Sequence, residues 1–514
     1  MTLLEVSIYT KKKKLLILLG LAMSNSVVFL DSTILPVALP TIQTQFDIST
    51  VDLNWVISIY ALVMSSLFLA GGKASDIIGH KRMNILGMIL FGVASFFCGK
   101  ANSVLSLLIF RAFQGLGGAL MIPSSMALVV ENFSPKERGR YIGTLVSFAS
   151  IFLALGPFIG GWITQIYHWK YVFWINIPII FCGIFIVSSH VPSSSTVKEP
   201  FDYKGCLLFV LSFVSIILGL MEIREAALLS VAVWIFFTLS VVFFIFLIKH
   251  IKNHEYPFID YALFSNETFR VGNAIIFCAQ FLLMIMVYWT IYFQKGLGYP
   301  PMKAGLFSLI FTFPVIFFAP LSGYLFDKLG PKIPSVIGFS MTLSAFLWFC
   351  FKGISLTVLG LCTGLALFGI GIAFVMTPIG VATVSAVCHT KKGAASGIYG
   401  TVRNSAVPFG IAIFGAIIAN VSYSSFDKKI ESIEGVDTVL LQGFFKLFSK
   451  TSLDALKDLS LSSEILDLLK KAFFEATGEA FFYCNILCAI LSFTGLLLSL
   501  LFLINNKNKK SKIK

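Results

Sequence analysis

The sequence predicts an all-α polytopic membrane protein: two six-helix bundles with two helices inserted between them, fourteen transmembrane helices in all. Three observations predict it. Of 514 residues, 57% are hydrophobic and only 12% charged, with a mean hydropathy of +0.89, against about 25% charged in soluble proteins. The apolar residues fall in runs of about twenty, the length that crosses a bilayer core as a helix. And two stretches of the chain repeat one another at a nearly constant offset.

The runs are 15–38, 53–72, 84–100, 104–126, 141–165, 171–188, 205–221, 227–248, 271–293, 303–325, 333–351, 356–378, 395–420 and 480–503. The first is entered through KKKKLLILLGLAM and mimics a signal peptide. It continues past Asp31 with no small-residue cleavage site, so it is predicted as an uncleaved span. An even count puts both termini on one face. With that face cytoplasmic, its segments hold 24 of the 39 basic residues, the short opposite segments hold 6, and the long segment 421–478 holds 7. This is the positive-inside pattern. It accounts for the formal charge of +14 without a nucleic-acid partner, some of the cations reaching lipid headgroups instead.

Segment 421–478 carries 9 acids against its 7 bases. Ile465, Leu468, Leu469, Ala472 and Phe473 recur at helical spacing, and Val436, Leu440, Phe444 and Leu447 roughly do so. They predict a short helical hairpin lying on the outer face.

The repeat is carried by two cytoplasmic turns. GGKASDIIGHK holds Gly72, Asp76, Gly79 and Lys81; SGYLFDKLGPK holds Gly323, Asp327, Gly330 and Lys332, each 251 residues on. A second series lies 254 apart: Gly115/Gly369, Gly117/Gly371, Ala119/Ala373, Gly139/Gly393, Gly143/Gly397, Gly156/Gly410 and Gly161/Gly415. It equates spans 2–5 with spans 10–13. The organisation that follows is an N-terminal bundle over 1–200, inserted helices over 201–255, and a C-terminal bundle over 256–514 with the outer loop at 421–478. Both halves enter the membrane from the same side, so the repeat is parallel, and a cavity is expected between the bundles near the bilayer midplane.

Several residues stand out as machinery. In the turn after span 2, glycines allow a sharp bend and close helix ends, and Asp76 can pair with a helix N-terminus or a cation. Such a cluster would latch one side shut. LGPFIGGW, with Gly156, Pro157, Gly160 and Gly161, interrupts span 5 and reads as a pliable seam at the interface. Three charges fall inside spans: Asp31, Arg111 and Arg403. A charge at a helix centre costs about 2.5–3.5 kcal/mol on insertion scales, so each is expected to face protein or a wet cavity. The nine cysteines show no C-x-x-C, and Cys484 and Cys488, one turn apart, read as small buried hydrophobes. The six histidines are scattered at run ends and predict no metal site. His250, His254 and Asp260 read as a solvated loop, and the chain is not expected to be an enzyme.

These motifs together resemble the major facilitator superfamily, and within it the fourteen-span drug:proton antiporters typified by bacterial quaternary-ammonium and uncoupler efflux pumps. LDSTILPVALPTI looks like the first-span motif of that family, GGKASDIIGHKR its spans 2–3 motif, RAFQGLGGA its fourth-span motif and LGPFIGGWI its antiporter motif. WKYVFWINIP and ASGIYGTVRNSAVPFG also fit. The resemblance implies the major facilitator fold, and export of small hydrophobic or amphipathic molecules across the bacterial inner membrane by alternating access. It implies a proton gradient as energy source and no cofactor. It assigns proton coupling to Asp31 and Arg111 and the cytoplasmic gate to Gly72, Asp76, Gly79 and Lys81, with Asp327 in the second copy. The family has Arg or Lys after the gate aspartate; here Ile77 stands there, so the gate is expected to rely on Lys81 or Arg82. Cation-selective relatives often carry extra acids in C-terminal-half spans, which 303–325 and its neighbours lack. That gap keeps a second reading, a dedicated exporter of a metabolite, siderophore or lipid-like molecule. Trp55, Tyr60, Gln280, Tyr288, Arg403 and Asn404 are the candidates for lining the cavity. The partners expected are the small-molecule substrate and the lipid bilayer, with a periplasmic adaptor protein as a further candidate.

Overall fold

A computed structural model describes residues 10–47, 50–193, 196–197, 199–226, 230–293, 301–352, 358–388, 391–430 and 463–502. Among the described residues every regular element is helical. In chain order they are α1 Lys11–Phe46, α2 Thr50–Ile78, α3 His80–Gly99, α4 Val104–Asn132, α5 Arg138–Ile166, α6 Tyr171–Trp174, α7 Asn176–His190, α8 Tyr203–Ala226, α9 Val231–Asn253, α10 Glu267–Leu283, α11 Ile285–Ile291, α12 Pro301–Leu329, α13 Lys332–Lys352, α14 Val358–Ser385, α15 Lys392–Ile430 and α16 Ser463–Phe502, with a 3-10 turn at Tyr261–Ser265. Among the described residues fourteen stretches are long and apolar enough to cross a membrane, and each overlaps one predicted run; α6 with α7 makes the sixth, α10 with α11 the ninth. Helices are what such runs must form, because lipid offers no partner to backbone N–H and C=O groups. The outward side chains suit the same solvent: Phe158, Phe181, Trp234, Phe244 and Phe351 are among the exposed ones.

In the first half, α2 and α3 pack on α4, and α1 packs on α5 and α7; in the second, α12 and α13 pack on α14, and α10 packs on α15. The repeat extends to the packing. A Cβ on Gly87 would lie 2.9 Å from the Gly117 carbonyl oxygen, and one on Gly338 would lie 2.6 Å from that of Gly371. These two pairs are related by the 251 and 254 offsets already seen in the sequence, and each needs glycine because backbone meets backbone. The halves meet along α2–α15 and α5–α12. The inserted α8 and α9 form a hairpin resting on α2 and α15, joined by hydrogen bonds from Ser212 Oγ to the Ser240 carbonyl (3.0 Å) and from Ser240 Oγ to the Ser212 carbonyl (2.9 Å).

The described ends of segment 421–478 are helical, as the spacing of Ile465, Leu468, Leu469, Ala472 and Phe473 predicts, and they continue the last two spans. α15 runs unbroken to Ile430 and α16 begins at Ser463. Lys429 bonds Glu475 (2.8 Å) and pairs with Glu479 (3.2 Å), Ser425 donates to Glu479 (2.6 Å), and Phe426 meets Phe473 edge to face. Extending an existing helix adds one hydrogen bond per residue, whereas a new helix must be nucleated. Val436, Leu440, Phe444 and Leu447 lie outside the described residues. Cys484 and Cys488 are buried, as expected.

A buried polar hub holds the first half together. Asn84 Nδ2 on α3 lies within hydrogen-bond distance of Ser24 Oγ on α1 (3.1 Å) and of the Met121 carbonyl (3.0 Å), Ser124 Oγ (3.3 Å) and Ser125 Oγ (2.8 Å) on α4. An amide has two N–H bonds, so these acceptors share it. Asn84→Ala leaves them short of a donor away from water, at a cost of about 1–3 kcal/mol. The thermal unfolding midpoint of the purified protein in detergent is expected to fall by a few degrees, with Asn84→Asp retaining less than wild type because its carboxylate offers no donor.

Candidate transport site

Asp31 and Arg111, eighty residues apart in sequence, are brought together in the core of the first half. Asp31 is 0% exposed and Arg111 1%. Arg111 Nη1 donates to Asp31 Oδ2 at 2.5 Å and to Gln114 Oε1 at 2.9 Å, and its Nε donates to the Val56 carbonyl at 3.0 Å. The other carboxylate oxygen accepts from Asn176 Nδ2 at 3.2 Å and, at 3.4 Å, from Gln114 Nε2. Gln114 also donates to Ser95 Oγ at 2.6 Å. The guanidinium lies 4.4 Å from the centre of the Tyr60 ring and 5.9 Å from that of Phe173, a cation–π arrangement.

This network joins α1, α2, α3, α4 and α7 through one charge pair. Gln114, Asn176 and Ser95 were not singled out in the sequence. An uncharged polar residue in an apolar run is a weak signal, but Gln114 stands three residues after Arg111 on the same helix face, which would have pointed to it. Tyr60, expected to line the cavity, is instead buried against Arg111, and its hydroxyl has no partner among the described residues.

The residues expected to form the gate make a second constellation. Asp76, at the end of α2, accepts from the Gly393 N–H (2.6 Å) and the Ala394 N–H (2.7 Å) at the start of α15 in the other half. Asp327, at the end of α12, accepts from the Gly139 N–H (2.8 Å) and the Arg140 N–H (2.9 Å) at the start of α5. Each carboxylate thus meets free N–H groups and the positive end of a helix dipole. The two caps are repeat mates. Gly72 and Gly323 make them reachable: a Cβ on Gly72 would sit 2.7 Å from Gly397 Cα, and one on Gly323 would sit 3.0 Å from the Arg140 nitrogen. Gly79 (φ 104°) and Gly330 (φ 80°) turn the chain between helices in a region that favours glycine.

The expectation that Lys81 or Arg82 completes the gate is corrected. Lys81 donates to the Ser188 carbonyl (2.7 Å) within its own half, and Arg82 is exposed. A helix terminus supplies the positive potential that a cation beside Asp76 was expected to supply. The reading of Gly156, Pro157, Gly160 and Gly161 as a seam between halves is also corrected. A Cβ on Gly156 would meet Thr33, and one on Gly160 would lie 2.7 Å from the Ile34 carbonyl oxygen, both on α1 of the same half. The seam with the other half lies further back on α5, where Gly139 meets Gly323, Gly143 meets Ala319, and Ser147 donates to the Ile316 carbonyl (2.7 Å).

The remaining cavity candidates divide. Trp55, Gln280, Arg403 and Asn404 are half-buried, and Arg403 Nε and Asn404 Nδ2 are buried without a hydrogen-bond partner among the described residues. Tyr288 bonds the Ile411 carbonyl at 2.6 Å and is a tie between α11 and α15. Asp260, expected in a solvated loop, caps the 3-10 turn through the Ala262 N–H (2.9 Å) and pairs with Lys391.

Two bundles built by repetition, sealed against each other by reciprocal helix caps, with a buried charge pair in one of them, define a membrane transporter. The family model for the Major Facilitator Superfamily matches residues 21–411, and the chain belongs to that family. It is 30% identical over 414 residues to "Multidrug resistance protein Stp" of Mycobacterium tuberculosis, covering 79% of this chain and 76% of that protein. It is 30% identical over 413 residues to "Riboflavin transporter RibZ" of Clostridioides difficile, covering 79% and 89%. Among solved structures it resembles the proton:xylose symporter XylE, with a TM-score of 0.61 at 14% identity, over 95% of this chain and 96% of that one; at that identity the likeness speaks for the fold alone.

The geometry gives two predictions. Arg111→Gln leaves Asp31 buried without its cation and is expected to destabilise by about 3–5 kcal/mol. The double variant Asp31→Asn/Arg111→Gln should be less destabilised than that single variant, as read by thermal unfolding in detergent; additive losses would contradict the pairing. At the gate, Asp76→Asn and Asp327→Asn each lose a charge-assisted bond across the seam, at about 1.5–3 kcal/mol. Spin labels at Lys136 and Lys332 should report a longer mean distance in both variants. The larger change is expected for Asp76→Asn, whose carboxylate is 5% exposed against a half-buried Asp327.

Proposed function

We propose that this transporter is a proton-coupled antiporter that exports hydrophobic or amphipathic compounds across the bacterial inner membrane by alternating access, with the gate face cytoplasmic. The observation that carries the reading is Asp31: a fully buried carboxylate inside a membrane helix, held by one guanidinium and by uncharged donors.

Two opposing effects act on such a carboxylate. Loss of water favours the neutral acid, and a neighbouring arginine favours the anion. With the gate face closed, Arg111 lies against Asp31. Protonation removes the charge that holds Arg111 and frees Gln114 and Asn176 to change partners. A conformational cycle that alters the wetness of the site or its distance to Arg111 therefore alters the affinity for the proton. A proton that binds from outside and leaves inside then drives cargo the other way. Half-buried Trp55, Gln280, Arg403 and Asn404 supply an aromatic and polar surface for that cargo.

A second reading, a dedicated exporter of one metabolite, siderophore or lipid-like molecule, is favoured by two observations. Run 303–325 and its neighbouring runs lack an additional acid for a cationic drug, and one relative of 30% identity is named as a riboflavin transporter.

The test is export from reconstituted vesicles under an imposed pH gradient, over a panel of cationic dyes, neutral amphipaths and riboflavin. Asp31→Asn is expected to abolish gradient-driven export while leaving membrane insertion intact, and Asp31→Glu to retain partial activity with a shifted pH optimum. Full gradient-driven export by the Asn variant would sink the coupling role. Movement of several unrelated compounds supports the drug reading; movement of one compound supports the dedicated exporter.

A further inference from the structure

The sequence scatters its histidines, yet the fold gathers two of them with an aspartate. Asp202 precedes α8; His250 and His254 end α9, one helical turn apart. Their ligand atoms all lie within 4.8 Å of one another. His250 Nε2 is 2.8 Å from Asp202 Oδ1. The two imidazole ring centres are 5.0 Å apart. Two imidazoles bound to one tetrahedral ion through bonds of about 2.0–2.1 Å have their ring centres about 5 Å apart, so the rings already stand at the separation that sharing an ion requires.

The aspartate is held in place as a ligand needs to be. The Gly205 N–H donates to Oδ1 (2.8 Å) and the Phe258 N–H to Oδ2 (2.9 Å). Backbone donors of this kind orient a metal-binding carboxylate from the outer shell.

We propose that Asp202, His250 and His254 form a binding site for a divalent d-block cation of the zinc type, at the gate face and outside the transport pathway. Two imidazoles and one carboxylate suit zinc and its neighbours, whereas magnesium and calcium take oxygen ligands. Three protein ligands leave a fourth position for water, which makes the site exchangeable rather than closed. The ion takes the place of the hydrogen bond between His250 and Asp202. On His254 it displaces the 3.2 Å contact in which the Tyr256 N–H meets Nδ1.

The location gives the ion something to hold. Phe258, bonded to Asp202, packs with Leu69 of α2 and with Ala394, Ala395 and Ile398 of α15, beside the Asp76 cap. Two residues on, Asp260 pairs with Lys391, next to the start of α15. An ion at this site fastens the ends of α8 and α9 to the loop that rests on the closed gate.

The experiment uses the full chain, purified in detergent with a tag free of histidine and stripped by chelator. Titration with Zn(II) by calorimetry should show one saturable site per chain, and Co(II) should give the visible bands of a nitrogen- and oxygen-bound ion, displaced by Zn(II) and not by Mg(II). His250→Ala and His254→Ala should each weaken Zn(II) by at least about tenfold. His168→Ala and His190→Ala, elsewhere on the chain, should leave it unchanged. Zn(II) should raise the thermal unfolding midpoint of wild type, by linkage of binding to folding, and not that of the folded His254→Gln variant, which guards against a variant that merely fails to fold. Absence of saturable Zn(II) binding by wild type, or undiminished binding by the His250→Ala/His254→Ala double variant, overturns the proposal.

Discussion

A guanidinium removed from water must find partners for its donors, and in this chain Arg111 organises half the protein by finding them. Its bonds reach α1 through Asp31, α2 through the Val56 carbonyl and its own helix through Gln114. The oxygen of Asp31 that Arg111 does not take draws in α7 through Asn176, and Gln114 draws in α3 through Ser95. None of these helices could be slid past its neighbour by one residue without stranding a polar atom in a place that offers no water. Greasy faces alone would not fix that register, because lipid and leucine are nearly equivalent surroundings for an apolar side chain. The pair is costly to bury and of little worth as a source of net stability. What it supplies is a unique arrangement of five helices.

The contact between halves follows another logic. Across the seam, among the described residues, Asp76 and Asp327 bond backbone N–H groups that the first turn of any helix leaves free, not a cation. Such donors are always present at a helix start, so the seal needs only a carboxylate and room to approach. Glycine gives the room at Gly72 and Gly323. Duplication then delivers the second seal from the same sequence elements, with α2 capping α15 and α12 capping α5. A bond of this type is made and broken without moving a long side chain, which suits a contact that an alternating-access cycle must release.

Much of this was legible in the sequence, and the limits are physical. The fourteen helices follow from run length, because the bilayer sets it. The repeat follows from glycines whose spacing is kept by backbone contact, and the same offsets reappear in the Gly87/Gly117 and Gly338/Gly371 contacts. Asp31 and Arg111 were visible because a charge in an apolar run is conspicuous. Gln114, Asn176 and Ser95 were not, because an amide or hydroxyl in such a run carries no comparable penalty. Partner choice was the other blind spot. Lys81 and Arg82 looked like gate cations from their nearness in sequence to Asp76, but a helix start more than three hundred residues away meets the aspartate instead. Gly156 and Gly160 advertised a close helix contact correctly and left its partner unstated; the partner is α1. The grouping of Asp202 with His250 and His254 depends on how the α8–α9 hairpin closes, which spacing cannot reveal.

α5 joins the two constellations. At its start, Gly139 and Arg140 are capped by Asp327, and Gly143 and Ser147 lie on α12 of the other half. Two to three turns later, Gly156 and Gly160 lie on Thr33 and Ile34 of α1, immediately after Asp31. One face of the helix therefore rests on the other half and another rests beside the buried acid. Pro157, between the two contacting glycines, removes a backbone donor and lets the helix flex there without losing a bond it would otherwise make. Under the proposed cycle, opening the gate releases the start of α5, and that release reaches α1 through contacts too close to absorb it by side-chain motion, since glycine has no side chain to move. The reverse holds as well. A change of charge at Asp31 that loosens α1 from α4 alters the surface on which α5 is seated, and so the ease with which the Asp327 cap is kept. Coupling in this reading requires no relay of charged groups along the membrane, only one helix clamped at both ends by contacts that glycine makes rigid.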